Sequence, residues 1–333
     1  SVTYLPTVSL HVPRGSNLRG TTMAKTRPGV TGLINETAKD FLSDDCMDSA
    51  AALSYYTIFS LPAILVLMLT LISAVLNPSD VRGGIEGQLQ ALMGPSAGEQ
   101  IRTIIQQAEQ KPHNGLIPTI LGIAGLLFGA TGAFGQLQKA LNRAWNVEPD
   151  PNQGGLKNFL SKRVFSLGMI LVVAFFLLVS LVISAALTGM GDRLGGFLPS
   201  GLSAPLLEAL NMVISLAVIT LLFAALFKVM PDAKIAWRSV WVGAAVTAFL
   251  FVIGKFLIGF YLGQSNPGQA YGAAGSLAVL LLWVYYSALI LLFGAEFTET
   301  WAERRGRGIE PEPGAVRVRR EKQRVGEVGP TTG

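Results

Sequence analysis

The chain alternates long apolar runs with short polar joints. Six runs stand out, approximately Ala50–Leu76, Leu116–Phe134, Phe165–Leu187, Leu206–Phe227, Val240–Leu262 and Ala273–Phe297. Between the charges of Asp48 and Asp80 lie 31 uncharged residues, and Lys111 to Lys139 and Arg163 to Asp192 enclose 27 and 28 more. Each exceeds the roughly 18 to 20 residues needed to cross a bilayer. A spanning segment has to satisfy its backbone polar groups internally, so each run is expected as a helix. The expected fold is therefore all-α: a polytopic membrane protein built as a six-transmembrane-helix bundle.

The joints carry their own pattern. Between Asn77 and Asn114, Val81, Ile85, Leu89 and Leu92, then Ile101, Ile104 and Ile105, recur at helical spacing around Gly94, Pro95 and Ser96. This predicts an amphipathic helical hairpin on the outer face. Pro231 marks a turn, and Asp232 after it is expected as the N-cap of the helix leading into the fifth run. Residues 1–35 are polar with scattered cations and are expected as a flexible cytoplasmic arm. Residues 36–303 form the six-helix domain, and residues 304–333, charged and containing Pro311 and Pro313, are expected as a disordered basic cytoplasmic tail.

Composition and charge set the orientation. Half of the 333 residues are apolar and only 14% are charged, against about 25% in soluble domains. Of the Lys and Arg residues outside the runs, 21 fall in the arm, the second and fourth joints and the tail, and 4 in the other joints. Positive charge is retained on the cytoplasmic side, which predicts a bacterial cytoplasmic-membrane protein with both termini cytoplasmic. Trp145, Trp237, Trp241 and Trp301 fall near the same ends of the runs and are expected in the headgroup layer. One cysteine, Cys46, and two histidines, His11 and His113, exclude an intramolecular disulfide and a histidine- or thiolate-built metal site. No cofactor is expected.

Candidate chemistry is sparse. Gly122, Gly125, Gly129 and Gly132 follow one helix face of the second run, and read as a packing stripe that lets a neighbouring helix approach. Ser54, Tyr56, Thr57 and Ser60 give the first run a polar stripe ahead of Pro62, which reads either as interhelical hydrogen bonding or as the wall of a polar cavity. Lys255 is the one full charge well inside a run; it either faces a path or extends its stem to the interface. Tyr285 and Glu296 are 11 residues apart and share a face of the sixth run. Tyr285 lies with Trp283 and Tyr286 near mid-span, where polar-tipped aromatics need partners. The arginines after Glu303 suit anionic headgroups, so membrane lipids are the expected partners and nucleic acid is not.

Four stretches together resemble one family: AALSYYTIFSLPAI (51–64), LNRAWNV (141–147), FKVMPDAKIAWRSVWVGA (227–244) and YGAAGSLAVLLLWVYYSALILLFGAEFTE (271–299). Their order and spacing are similar to the YihY/BrkB family of bacterial inner-membrane proteins, which includes a serum-resistance virulence factor. The resemblance implies six membrane helices and supplies no catalytic or binding residues. The family has also borne the label ribonuclease BN. His11 and His113 are expected on opposite sides of the membrane, so a histidine-metal nuclease site does not form here.

The function expected is that of a non-enzymatic, transporter-like or lipid- and amphiphile-handling protein. Its cavity would lie between the first, fifth and sixth helices and be lined by Ser54, Tyr56, Thr57, Ser60, Lys255, Tyr285 and Glu296. Glu296 would meet a cationic group at the cytoplasmic mouth, and Lys255 an anionic one further out. The alternative is a non-transporting scaffold or envelope-integrity factor in which these groups only pair and pack. Self-association into a homo-oligomer is left open, as is the transported solute.

Overall fold

The computed structural model describes residues 29–73, 131–150, 203–265 and 273–318 apart from 307, with single positions and short runs between them. Most of these are helical. Helix α1 (Val30–Ser43) ends where the Asp44 amide returns to the Asp40 carbonyl. Asp45 then takes a positive φ of 49° and turns the chain into α2 (Cys46–Ser73). Asp tolerates this left-handed conformation better than most residues, which suits it to so tight a joint. Residues 131–144 are helical, followed by strand β1 (Val147–Pro149). Helix α3 (Ser203–Val229), strand β2 (Ala233–Lys234), α4 (Trp237–Ser265) and α5 (Ala273–Arg304) follow, then strands β3 (Glu310–Pro311) and β4 (Ala315–Arg317).

Among the described residues four segments are long and apolar enough to cross a bilayer: Cys46–Val66, Met212–Val229, Trp237–Tyr261 and Leu277–Arg304. They correspond to the first, fourth, fifth and sixth expected runs. The second and third runs fall largely outside the described residues, although 131–134 and 171–176 within them are helical. The expected outer hairpin also lies outside them, apart from helical positions at 83, 87, 102, 103 and 106.

Helix α5 is the centre of the packing. It lies against α4 on one side and α2 on another, α3 packs on α4, and α1 crosses the last turns of α5. The reason α4 and α5 approach closely is visible in their residues. Gly243 and Thr247 face Gly294 and Thr298, so each threonine fills the space left by the opposing glycine. Each threonine hydroxyl donates at 2.7 Å to the carbonyl four residues earlier, Thr247 to Gly243 and Thr298 to Gly294. Polarity inside the contact is thereby satisfied within each helix, although the threonine oxygen is the atom nearest the opposing glycine. Further along, Phe223, Phe251 and Trp283 join α3, α4 and α5 through edge-to-face contacts at 5.8 and 6.0 Å, the arrangement preferred by aromatic quadrupoles.

The strands gather the other joints at one end. β1 pairs antiparallel with β4, Val147 opposite Arg317, and β2 pairs antiparallel with β3, Ala233 opposite Pro311. The Glu312 amide donates to the Asp232 carbonyl at 2.9 Å, and the Val318 amide to Asn146 at 2.9 Å. Thus the joints around 146–150 and 232–236 and the segment 308–318 meet at the end of the bundle that also holds α1.

Four expectations change here. The segment taken as a disordered tail from 304 supplies β3 and β4, because its backbone completes the unpaired edges of β1 and β2. The arm taken to run to 35 gives way to α1 at Val30, which buries Leu33 and Thr37. Asp232 is no N-cap: α4 starts at Trp237, and the Ala236 carbonyl accepts the first turn's amides. Trp145 is not in a headgroup layer but buried, with its ring edge-to-face on Phe227 at 5.8 Å. Trp237 and Trp241, by contrast, are 54% and 45% exposed.

Candidate functional site

Beneath α1 and the β strands the bundle holds a buried polar cluster. Its centre is Glu296, on the α5 face turned toward α2 and completely enclosed. The Cys46 thiol, at the start of α2, donates to Glu296 Oε1 at 3.2 Å. Glu296 Oε2 is buried and has no hydrogen-bond partner among the described residues. One turn further, Glu299 is also buried and accepts from Asn146 Nδ2 at 3.3 Å. Asn146 is placed for this by a positive φ of 52° directly after Trp145, a conformation Asn adopts readily. Trp145 donates its indole N–H to the Ala295 carbonyl at 3.2 Å, pinning the joint to α5.

Helix α1 covers the cluster. The Thr300 hydroxyl donates to the Glu296 carbonyl at 2.9 Å and accepts from Thr37 of α1 at 3.4 Å. Arg304 Nε donates to Glu36 Oε2 at 2.8 Å. Asp40 of α1 has its carboxyl held above the usual carboxylate range, chiefly by burial and further by the nearby charges of Glu36, Asp44 and Glu303, while a hydrogen bond with Thr300 opposes the shift. Arg143 pairs with Asp45 at the rim. The cluster is thus rich in carboxyls: Asp40, Asp44, Glu296 and Glu299 act on one another. Among the described residues no group of three or more His, Cys, Asp or Glu side chains is arranged to hold a metal ion.

A second polar group secures the adjoining joint. Gln138 Nε2 and Asn142 Nδ2 donate to the two oxygens of Asp232 at 3.1 and 2.8 Å, and the Asp232 amide donates back to Asn142 Oδ1 at 2.8 Å. Lys228 Nζ donates to the Ile235 carbonyl at 2.6 Å and lies 5.6 Å from the Trp237 ring centre.

The residues expected to line a path are not gathered in one place. Ser54 is buried and donates to the Ala51 carbonyl of its own helix at 2.8 Å. Ser60 is buried and accepts the Ala133 amide at 3.2 Å, beside Gly132, where an added Cβ would lie 3.2 Å from its oxygen. Thr57 is half-buried. Tyr56 is 46% exposed and belongs to an outward aromatic group with Tyr55. Tyr285 packs half-buried against the apolar core. Lys255 is half-buried, 5.3 Å over the exposed Phe256 ring. Gly254 abuts Tyr286 and Ile290 while Gly294 abuts Thr247, so Lys255 and Glu296 are separated by roughly 13 Å along the helix axes at 1.5 Å per residue. They do not pair. Gly122, Gly125 and Gly129 lie outside the described residues.

Sequence reasoning did not find Cys46, Asn146, Glu299 and Thr300 as members of the cluster. Glu299 was visible as a second carboxyl one turn after Glu296, but the other three come from elements that only the fold brings together.

Residues 37–319 match the model of the family described as virulence factor BrkB. This chain belongs to that family. The match begins inside α1 and ends just past β4, so the second half of the covering helix and the strands lie within the matched segment. A UPF0761 membrane protein of Pseudomonas paraeruginosa is 30% identical over 301 residues, which cover 87% of this chain and 69% of that protein. Another, from Pseudomonas aeruginosa, is 31% identical over 263 residues, 78% of this chain and 60% of the relative. YfkH of Bacillus subtilis, named as ribonuclease-like, is 28% identical over 250 residues, 74% of this chain and 86% of its own length. No solved structure matches the chain. The protein is a membrane protein of the BrkB family, with helices apolar enough to span a bilayer.

Proposed function

We propose that this BrkB-family protein is a transporter-like carrier of an amphiphile. In this reading the strand-bearing end faces the cytoplasm of a bacterial inner membrane, as the excess of Lys and Arg there suggests. The path runs along the α2, α4 and α5 contacts, and Glu296 receives the cationic group of the solute.

The observation that supports this reading is the carboxyl of Glu296, enclosed in a spanning helix with Oε2 unmet. Leaving a buried acceptor without a partner costs on the order of 1–3 kcal/mol, and an isolated buried charge costs more. A helix that only packs gains nothing from such a group. Ionisable residues in membrane helices therefore mark solute or ion paths by default. Lys255, roughly 13 Å further along the bundle, would meet an anionic group at a separate point of the path rather than together with Glu296. No enzymatic step is proposed. The ribonuclease-like name of YfkH would require converging acid, base or metal groups near RNA, and His11 and His113 lie outside the described residues.

The interlocked glycines and threonines of α4 and α5 favour a second reading, a rigid scaffold without transport. The two are separated by purified full-length protein in liposomes carrying a fluorescent phosphatidylethanolamine analogue. The carrier reading expects transbilayer movement above that of empty liposomes and at least a tenfold loss in Glu296→Gln. Equal rates with and without the protein would establish the scaffold instead, and an unaltered rate in Glu296→Gln would remove Glu296 from the path.

A further inference from the structure

The unmet oxygen of Glu296 raises a question that the carrier reading leaves open: what balances this carboxyl when no solute is bound. Every element packed around it supplies the answer's terms. The groups acting on it electrostatically are Glu299 from α5, Asp44 from the turn before α2, Cys46 from α2 and Asp40 from α1. Three of these are carboxyls and the fourth is a thiol that donates to Oε1. Helix α4 adds no titratable group at this level, where Val240, Ala244, Thr247 and Ala248 are the buried residues. The joint above contributes Trp145, whose N–H is taken by the Ala295 carbonyl, and Asn146, whose amide goes to Glu299. Of the nearby cations, Arg143 pairs with Asp45 through Nη2 while its Nε is buried and donates to none of the described residues, and Arg304 pairs with Glu36; neither hydrogen-bonds Glu296.

An enclosed carboxylate surrounded by acceptors and acids, and offered one weak thiol donor, needs a positive charge from outside the cluster. The described residues provide no set of ligands for a metal ion. The smallest cation that fits is a proton, which needs no coordination shell and turns Oε2 from an unmet acceptor into a hydroxyl. We propose that Glu296 is a proton-binding site, carried as the neutral acid under the closed α1 cover and deprotonated when a cationic solute group takes the proton's place. One O–H bond forms or breaks at Oε2, the proton leaves to water at the strand-bearing end, and no other bond changes. The proposal rests on the carrier reading for the exchange with solute, while the proton site itself stands on the burial and partners of Glu296.

Infrared difference spectroscopy of the full-length protein in lipid, taken across a pH series, tests it. The wild type should show a carboxylic acid C=O band that disappears as pH rises and is missing from Glu296→Gln. In Cys46→Ala the same band should shift in frequency, because the thiol donating to the carboxyl is gone. This second variant leaves the proposal testable if Glu296→Gln does not fold. A titrating band that persists in Glu296→Gln, or one indifferent to Cys46→Ala, overturns the assignment. Loss of lipid movement with the band intact would overturn the carrier reading and leave the proton site standing; movement without the band would do the reverse.

Discussion

Gly243 of α4 and Thr298 of α5 stand so close that a methyl group on the glycine would lie 1.8 Å from the threonine oxygen. The relation is repeated in reverse by Gly294 and Thr247, at 1.9 Å. A Gly-x-x-x-Thr element on each of two antiparallel helices therefore interlocks with its counterpart. Gly243→Ala should destabilise the protein by about 1–3 kcal/mol through overpacking, outweighing the roughly 1 kcal/mol that alanine adds to helix propensity. Thermal unfolding in detergent measures the loss, and adding Thr298→Ala should recover part of it. No change in Gly243→Ala would mean that the helices can separate freely here.

Asp232 depends on Asn142 through both of its polar ends, since the asparagine amide donates to the carboxylate and its oxygen accepts the Asp232 N–H. Asn142→Ala should cost on the order of 1–3 kcal/mol by removing both hydrogen bonds. Asn142→Asp should cost more, because it sets a second carboxylate against the first. Limited proteolysis of the 231–236 joint is the check, with cleavage expected to rise in both variants.

Burial chiefly raises the Asp40 carboxyl above its ordinary value of 3.8, and this has a signed effect on stability. The folded protein retains the proton after the unfolded chain has released it, so stability falls as pH rises from about the ordinary value through the folded one. Asp40→Asn should remove that contribution. Unfolding curves recorded at several pH values should therefore fall less steeply over this range for the variant than for wild type, and parallel curves would show that Asp40 is not the group responsible.

The paired strands require Glu148, Lys234 and Glu312 to lie on one side of the membrane. Cysteines placed singly at these positions, with Cys46 replaced, should all react with an impermeant thiol reagent from the same side. The charge distribution predicts that this side is the cytoplasm. Labelling of one position from the opposite side would contradict the strand pairing.

The long helices were legible because hydrocarbon forces a single answer on an apolar run. Their ends were less so. The sixth run stops at Phe297 by hydropathy, but α5 continues to Arg304 because Thr298 fits against Gly243 and Thr300 against Thr37. The first run starts at Ala50 by hydropathy, and α2 begins at Cys46, whose thiol meets Glu296. Strands of two or three residues have no period to detect, and their partners are separated by tens to hundreds of positions. Glu296 was recognisable as a carboxyl at the edge of an apolar run. Its neighbours were not, since Cys46 and Asn146 are unremarkable until α2 and the joint after residue 144 are folded against α5. The glycine-threonine interlock had a signal, the same Gly-x-x-x-Thr spacing in the fifth and sixth runs.

The carrier reading requires the Glu296 cluster to open to water. Cys46 is the chain's one cysteine and is bonded to Glu296 in the closed state, so it reports on that opening without any added residue. The decisive measurement is the rate at which Cys46 in membrane-embedded wild-type protein reacts with a water-soluble, membrane-impermeant thiol reagent. Slow but complete labelling is expected on that reading, several-fold faster in Arg304→Ala, where α1 loses its ion pair with α5. Labelling only after denaturation, with Arg304→Ala no faster than wild type, would contradict it.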